Sequence, residues 1–461
     1  MNIVVLNGSP KGKNSVTLQT VLYLEKVFPS CKFNILNVGA KIRAYEKDMS
    51  EAISAINASD LVLFCYPVYT FLVPYQLHRF IELLKGANVN LSGKFVTQIS
   101  TSKHFYDVTA HKFIEQNVFD MNGLYIDGLS ADMDDLLSRK GQNDAKMFWE
   151  YVLYSVSHNL SKFPKFATSI DSAMTVYSRD FDDVKVEKDG EKDGEKDGEK
   201  LTVIVTDCAK DDQNLKNMIA DFEHIHPYKT KLVNINDFPF KGGCLGCFSC
   251  AGDGKCVYTD GFDTFLRQEI QSATAIVYAF TIRDHSMGSR FKLYDDRQFC
   301  NGHRTVTIGM PIGYLVSGDY RTETNLQAVI EGRAEVGHNF LAGVAVNSQE
   351  ISAMSQKIVY ADKNKFVMPQ NFYGVGGLKI FRDLIYIMRG LMKADHKFYK
   401  QHGFYDDLPQ RHKGRMLFMK FVGGLMSNKK IKAKIGGNMN DFILMPYKKV
   451  LNEVETNKTS K

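Results

Sequence analysis

Four cysteines stand within thirteen residues, at Cys244, Cys247, Cys250 and Cys256. Thiolates so close along a chain can converge on one centre, and ligation by sulfur alone points to an iron–sulfur cluster or to zinc. Glycines at 242, 243, 246, 252 and 254 let the backbone wrap around such a centre. Three cysteines at two-residue spacing with a looser fourth favour [4Fe–4S], since structural zinc sites usually pair two distant knuckles. The competing reading is a loop of free thiols. Cys31, Cys65, Cys208 and Cys300 are scattered singly, as in a reduced cytoplasmic protein rather than a disulfide framework.

A second set of residues lies near the N-terminus. Ile3–Leu6 reads as a buried strand that runs into Asn7-Gly-Ser-Pro-Lys-Gly-Lys-Asn-Ser-Val-Thr17 and then an amphipathic helix. Gly8 and Gly12 permit a turn, Ser15 can cap the helix, and free amides at its start can hold a phosphate. Ser9, Asn14, Ser15 and Thr17 add polar donors, and Lys11 and Lys13 add charge. The spacing is neither that of a Walker loop nor that of a dinucleotide Gly-x-Gly-x-x-Gly turn. A third strand, Leu61–Phe64, leads into the proline-stiffened, aromatic stretch Tyr66–Tyr75, which suits a flat conjugated ring. A fourth, Phe95–Ile99, leads into a polar loop over Ser100–Asp107, with donors for a ring edge. Three strand ends thus offer a phosphate cradle, an aromatic platform and a cluster of donors.

The elements that must position these residues recur along the chain. Strand, amphipathic helix and strand precede Val38, and the same order returns in Leu201–Val205, the segment with Leu215, Met218 and Phe222, and Lys231–Ile235. A helix and strand follow in both places, at 48–64 and 262–280. Apolar strands alternating with helices predict an α/β fold of two tandem doubly wound parallel sheets. Residues 187–200 read EKDGEKDGEKDGEK, a charged repeat with nothing to bury, and predict a flexible tether between the halves. The expected division is a first domain at 1–168, a linker at 169–200, a second domain at 201–370 and a basic helical extension at 371–461. Gly374–Arg389 reads as an amphipathic helix, and Arg415–Lys434 as another that packs on the protein. The net charge of +6 is modest for 461 residues and demands no nucleic acid. The longest apolar stretch, Leu61–Tyr75, is broken by Pro67 and Pro74, so no membrane span is expected. With no secretory signal either, the expected location is cytoplasmic.

Gly8–Ser15 and Pro67–Tyr69 resemble the phosphate loop and Pro-Val-Tyr flavin loop of the NADPH-dependent FMN reductases. The cysteine loop resembles that of the iron–sulfur flavoproteins of the same flavodoxin-like superfamily. The resemblance implies two flavodoxin-like domains, FMN and NAD(P)H as cofactors, and a [4Fe–4S] cluster on Cys244, Cys247, Cys250 and Cys256. It implies FMN contacts at Ser9, Lys11, Asn14, Ser15 and Thr17, at Pro67, Val68, Tyr69, Thr70 and Phe71, and at Thr101, Ser102, Lys103 and His104. No catalytic side chain is implied, since the flavin supplies the chemistry. Both halves depart from the pattern, the second also in lacking the proline of Pro-Val-Tyr in its counterpart, Phe280–His285. The first has Gly39–Lys47 where the cysteines would stand. The second has Thr206–Asp212 in place of the phosphate loop, with Asp207, Asp211 and Asp212 set to repel a phosphate. Its Gly288–Arg297 keeps the family's Lys and Asp-Arg helix.

The expected protein is an oxidoreductase passing electrons from NAD(P)H to a small molecule or a partner protein, its halves paired as a pseudo-dimer. A homo-oligomer stays open. The alternatives are an electron carrier serving a partner reductase, and a redox or metal sensor with a vestigial flavin site.

Overall fold

Period-two burial sets the first sheet. Strand β1 (Asn2–Asn7) turns Ile3 and Val5 to one face and Val4 and Leu6 to the other, all buried. In the computed structural model, which describes residues 1–163, 177, 200–406 and 408–426, β1 lies between β2 (Lys32–Leu36) and β3 (Leu61–Pro67). Beyond β3 come β4 (Phe95–Ser102) and β5 (Leu124–Tyr125), with β6 (Leu129–Asp132) pairing the far end of β4. All pairings are parallel. Helices α1 (Val16–Val27), α2 (Ile42–Tyr45), α3 (Ser50–Asn57), α4 (Tyr75–Gly86), α5 (Asp107–Asp120) and α6 (Arg139–Ser157) cover the two faces.

The second sheet repeats the order. β7 (Leu201–Thr206) pairs β8 (Lys229–Asn234) and β9 (Ala275–Thr281), followed by β10 (Pro311–Ser317) and β11 (Phe340–Ala345). Both sheets have the 2-1-3-4-5 strand order of flavodoxin-like folds. The second half carries α7 (Gln213–Ile225), the short α8 (Ser249–Asp253) and α9 (Phe262–Phe265), α10 (Gly288–Arg297), α11 (Thr324–Val336) and α12 (Ser348–Lys363). The helix expected near residue 374 is α13 (Phe372–Ile387); α14 (Lys393–Gln401) and α15 (Lys413–Met426) follow. The chain forms two compact units, Met1–Lys397 and Phe398–Lys461, and both sheets belong to the first. Met416, Leu417, Phe418, Met419 and Phe421 of α15 are exposed, and the rest of the helix expected at 415–434 lies outside the described residues. The charged repeat at 187–199 and the tail beyond 426 lie outside the described residues.

One apolar core joins the halves. It contains Val4, Leu6, Leu77 and Phe80 of the first half with Val203, Val205, Phe291 and Tyr294 of the second. Helices α4 and α10 pack together, as do α5 and α11. The backbone amide of Tyr75 donates to Asp296 Oδ2 at 2.8 Å, and that of Ser289 donates to Glu82 Oε1 at 2.6 Å. Each member of one bond lies 214 residues from its counterpart in the other (289 − 75 and 296 − 82), so one contact is made twice about an approximate two-fold axis. Each acid also meets the positive end of the opposing helix.

A charged network closes the same interface. His285 Nε2 lies 3.0 Å from Asp120 and its Nδ1 2.9 Å from Glu323, while Lys85 bridges Asp120 and Asp284 at 2.6 Å each. Burial alone would lower the His285 pKa, but the two carboxylates outweigh it and push it up to about 9. The folded pKa thus lies above the ordinary value of 6.5, so this stabilisation is fully present below that value and is lost as the pH rises through 9. Wild type is expected to lose up to about 3 kcal/mol relative to His285→Asn between these limits, as read from denaturation midpoints across the range. Parallel pH profiles for the two proteins would contradict this.

Candidate functional site

The phosphate loop is held from beneath. Asn7 Nδ2 donates to Gly12 O at 2.9 Å and to Asn37 Oδ1 at 2.9 Å, while Gly8 N donates to Cys65 O at 2.8 Å. Ser15 takes extended geometry and caps α1, its hydroxyl accepting from Leu18 N at 3.4 Å. Ser9, Ser15 and Thr17 are buried in the loop, whereas Lys11 and Asn14 are exposed at its rim. Hydroxyls and first-turn amides converging at the positive end of a twelve-residue helix fit a phosphate dianion.

Thr17 Oγ1 meets Thr101 Oγ1 at 2.6 Å and ties this loop to the fourth strand. The sequence places a loop at Ser100–Asp107, but β4 continues through Ser102 because β6 pairs with it at Ile99–Ser102. Thr101 and Ser102 are therefore buried strand residues. Lys103 is engaged by Asp132 at 2.8 Å and Asp134 at 2.7 Å, and His104 by Asp107 at 3.0 Å.

Pro67 ends β3, and Val68 N donates to Thr101 O at 3.0 Å. Tyr69 and Leu72 then close a tight turn, Tyr69 N to Leu72 O at 2.8 Å and Leu72 N to Tyr69 O at 3.1 Å. Thr70 (φ 45°) and Phe71 (φ 70°) both lie in the left-handed region, which costs a non-glycine residue roughly 1 kcal/mol or more. Strain of this kind persists only where the surroundings impose it. Both halves hold it: Thr109 Oγ1 of the first donates to Phe71 O, while from the second Lys292 Nζ donates to Tyr69 O at 2.8 Å and Asp296 Oδ1 accepts from Thr70 Oγ1 at 3.0 Å. Lys292 and Asp296 form an ion pair with no exposed surface. The sequence marks Gly288–Arg297 as a family helix but gives no sign that it serves the other half.

The cysteine loop comes up against this turn. An ideal Cβ on Gly246 (φ 60°) would lie 1.9 Å from the Tyr69 hydroxyl, and one on Gly243 would lie 2.5 Å from the Tyr75 ring. Lys11 Nζ sits 5.7 Å from the centre of the Phe248 ring, so the phosphate loop meets the cysteine loop as well. Arg297 anchors the stem, with a bidentate bond to Asp260 at 2.7 and 2.8 Å and another to Gly242 O at 2.8 Å. Burial opposes ionisation of Asp260, but the Arg297 hydrogen bonds outweigh it and hold the carboxyl below its usual range. Tyr69 is pushed well above the ordinary phenol range, first by burial and then by Cys244 and the neighbouring acid Asp296.

The four thiols are neighbours without converging. Cys244 lies within electrostatic range of Cys247 and Cys250, and Cys250 within range of Cys256. Among the described residues no group of three or more Cys, His, Asp or Glu side chains is arranged to hold a metal ion. Cys250 instead donates to Phe299 O at 2.9 Å and Cys247 to Ser249 Oγ at 3.3 Å, while Cys244 Sγ accepts from Gly246 N at 3.4 Å. The donor set suits a sulfur-ligated centre, and joining one would require Cys250 to leave Phe299. Burial pushes the Cys250 thiol up to about 11.

In the second half the corresponding loop is filled by acids. Asp212 caps α7 by accepting from Leu215 N at 3.1 Å and also accepts from Thr281 Oγ1. Burial pushes Asp207 up to about 7. A twin of the Tyr69 turn survives at Arg283–Ser286, with Asp284 (φ 51°) and His285 (φ 64°) left-handed.

Residues 1–126 match the profile of the NADPH-dependent FMN reductase family. An iron–sulfur flavoprotein of Archaeoglobus fulgidus is 25% identical over 205 residues, covering 42% of this chain and 89% of that protein. Among solved structures, an NADH:FMN oxidoreductase in its apo form is 19% identical, with TM-score 0.29, over 35% of this chain and 91% of its own. General stress protein 14 of Treponema denticola, solved with FMN, is 12% identical, with TM-score 0.28, over 33% and 98%. The phosphate loop and the Pro-Val-Tyr turn both lie inside the segment, residues 1–126, that is similar to the NADPH-dependent FMN reductase family.

Proposed function

We propose that this chain is an FMN-dependent NAD(P)H oxidoreductase that delivers electrons to a small molecule or a partner protein, with the cysteine loop holding a [4Fe–4S] cluster. FMN, when bound, accepts hydride from NAD(P)H and releases the electrons onward. Ser9, Ser15, Thr17 and the first-turn amides of α1 hold its phosphate, with Lys11 and Asn14 at the rim. Pro67 to Phe71 present the ring platform, and Thr101 to His104 lie at the ring edge. Lys103 and His104 keep their carboxylate partners and act as positioning residues. The four cysteines, the domain division at 168, 200 and 370, and the pairing of the halves as a pseudo-dimer belong to the same proposal. The observation that supports it most is the contact of Tyr69, in the turn of one half, with Gly246, in the cysteine loop of the other.

Anaerobically purified protein is expected to show flavin bands over a broad iron–sulfur absorbance, with about four irons and four sulfides per chain. Replacing any of Cys244, Cys247, Cys250 or Cys256 by Ala should remove that absorbance and leave FMN bound. Zinc, or no metal, in the anaerobic protein would sink the cluster. NAD(P)H oxidation with added quinones, free flavin or nitro compounds tests the activity, and flavin bound without any NAD(P)H oxidation would favour an electron carrier.

A further inference from the structure

We infer that the buried Lys292–Asp296 pair is a one-sided clamp: it sets the turn of the first half that receives the flavin ring, and its symmetry mates make no such grip. The inference rests on the reading of Tyr69–Leu72 as the ring platform. Lys292 and Asp296 grip the turn at three points. Lys292 Nζ donates to Tyr69 O, the Thr70 hydroxyl donates to Asp296 Oδ1, and the Tyr75 amide just after the turn donates to Asp296 Oδ2. Two successive non-glycine residues at positive φ need such an external hold.

The approximate two-fold axis supplies the comparison. Lys292 and Asp296 correspond to His78 and Glu82 (292 − 78 and 296 − 82, both 214). Glu82 still caps the opposing helix, taking both the amide and the hydroxyl of Ser289. His78 makes no bond to the twin turn, and both of its ring nitrogens are buried without a partner. Burial lowers its pKa to about 4, so it carries no charge there at neutral pH. The twin turn is held by other groups: Asn117 donates to Asp284 O at 3.3 Å, Lys85 pairs with Asp284, and Asp120 and Glu323 grip His285. Helix capping is therefore shared by both sides, whereas the lysine grip on a turn carbonyl is made only on the side of the phosphate loop.

The test titrates FMN into the flavin-stripped full chain and records the visible circular dichroism of the saturated protein. Lys292→Met should raise the FMN dissociation constant about tenfold or more and change the flavin dichroism at saturation, where global stability no longer matters. Lys292→Arg, which keeps a donor and the charge, should restore most of the affinity. Glu82→Gln weakens the twin contact and should leave affinity within about twofold and the dichroism unchanged. If Lys292→Met does not fold, Thr70→Val carries the test, with an expected loss of about threefold. Wild-type affinity and dichroism in both Lys292→Met and Thr70→Val would overturn the clamp. So would a loss in Glu82→Gln equal to that in Lys292→Met. A wild-type chain that binds no FMN overturns the functional reading and the clamp with it.

Discussion

Ser15→Asp is expected to weaken FMN binding about a hundredfold or more while leaving the fold in place. Asp is as good an N-cap as Ser, so α1 should keep its start. The second half already shows this, since Asp212 caps α7 in the same manner. What changes is charge: a carboxylate about 5 Å from a phosphate is repelled by roughly 3 kcal/mol per unit charge at an effective dielectric of 20. That is about two decades in affinity. Titration of the flavin-stripped protein reads the loss, and a thermal melt of the same sample reports the fold. Wild type should bind one FMN per chain. A variant that keeps its flavin, or a wild type that binds two, would mean that the phosphate does not sit at the start of α1.

Gly246→Ala should destabilise the apoprotein by about 2–5 kcal/mol. Part is backbone strain, roughly 1–2 kcal/mol for a non-glycine residue at φ 60°. The rest is overlap of the new methyl with the Tyr69 hydroxyl, of a size typical for overpacking, about 1–3 kcal/mol. A double-mutant cycle with Tyr69→Leu separates the two, because removing the ring should recover the overlap and leave the strain. If Gly246→Ala unfolds together with wild type, the cysteine loop does not lie on the flavin turn in solution.

Much of this could be read from residue types and spacing, because it depends on local causes. The strand starts at Ile3 and Leu201, the cap at Ser15 and the aromatic turn after Pro67 each follow from neighbours in sequence. Contacts between distant segments could not be read so. The length of β4 is set by β6, a partner about thirty residues away, so Thr101 and Ser102 looked like loop. Thr70 and Phe71 adopt a conformation that usually signals glycine, and the groups that hold them there, Lys292 and Asp296 among them, come from far along the chain. The spacing of the cysteines suggested a shared centre, which is part of the proposal. It could not announce that Tyr69 of the other half would stand over them.

In a symmetric homodimer every substitution is made twice, once on each side of the axis, so neither site can change alone. Joining the halves in one chain removes that constraint. The Lys292–Asp296 and His78–Glu82 pairs occupy equivalent places, yet one sets a buried charge on a turn carbonyl while the other offers a neutral ring and a cap. Helix α4 therefore supplies a cap but no grip on a turn carbonyl, whereas α10 supplies both. The same freedom lets the cysteine loop exist once, on the side where it faces the Tyr69 turn, without a second copy to accommodate across the axis.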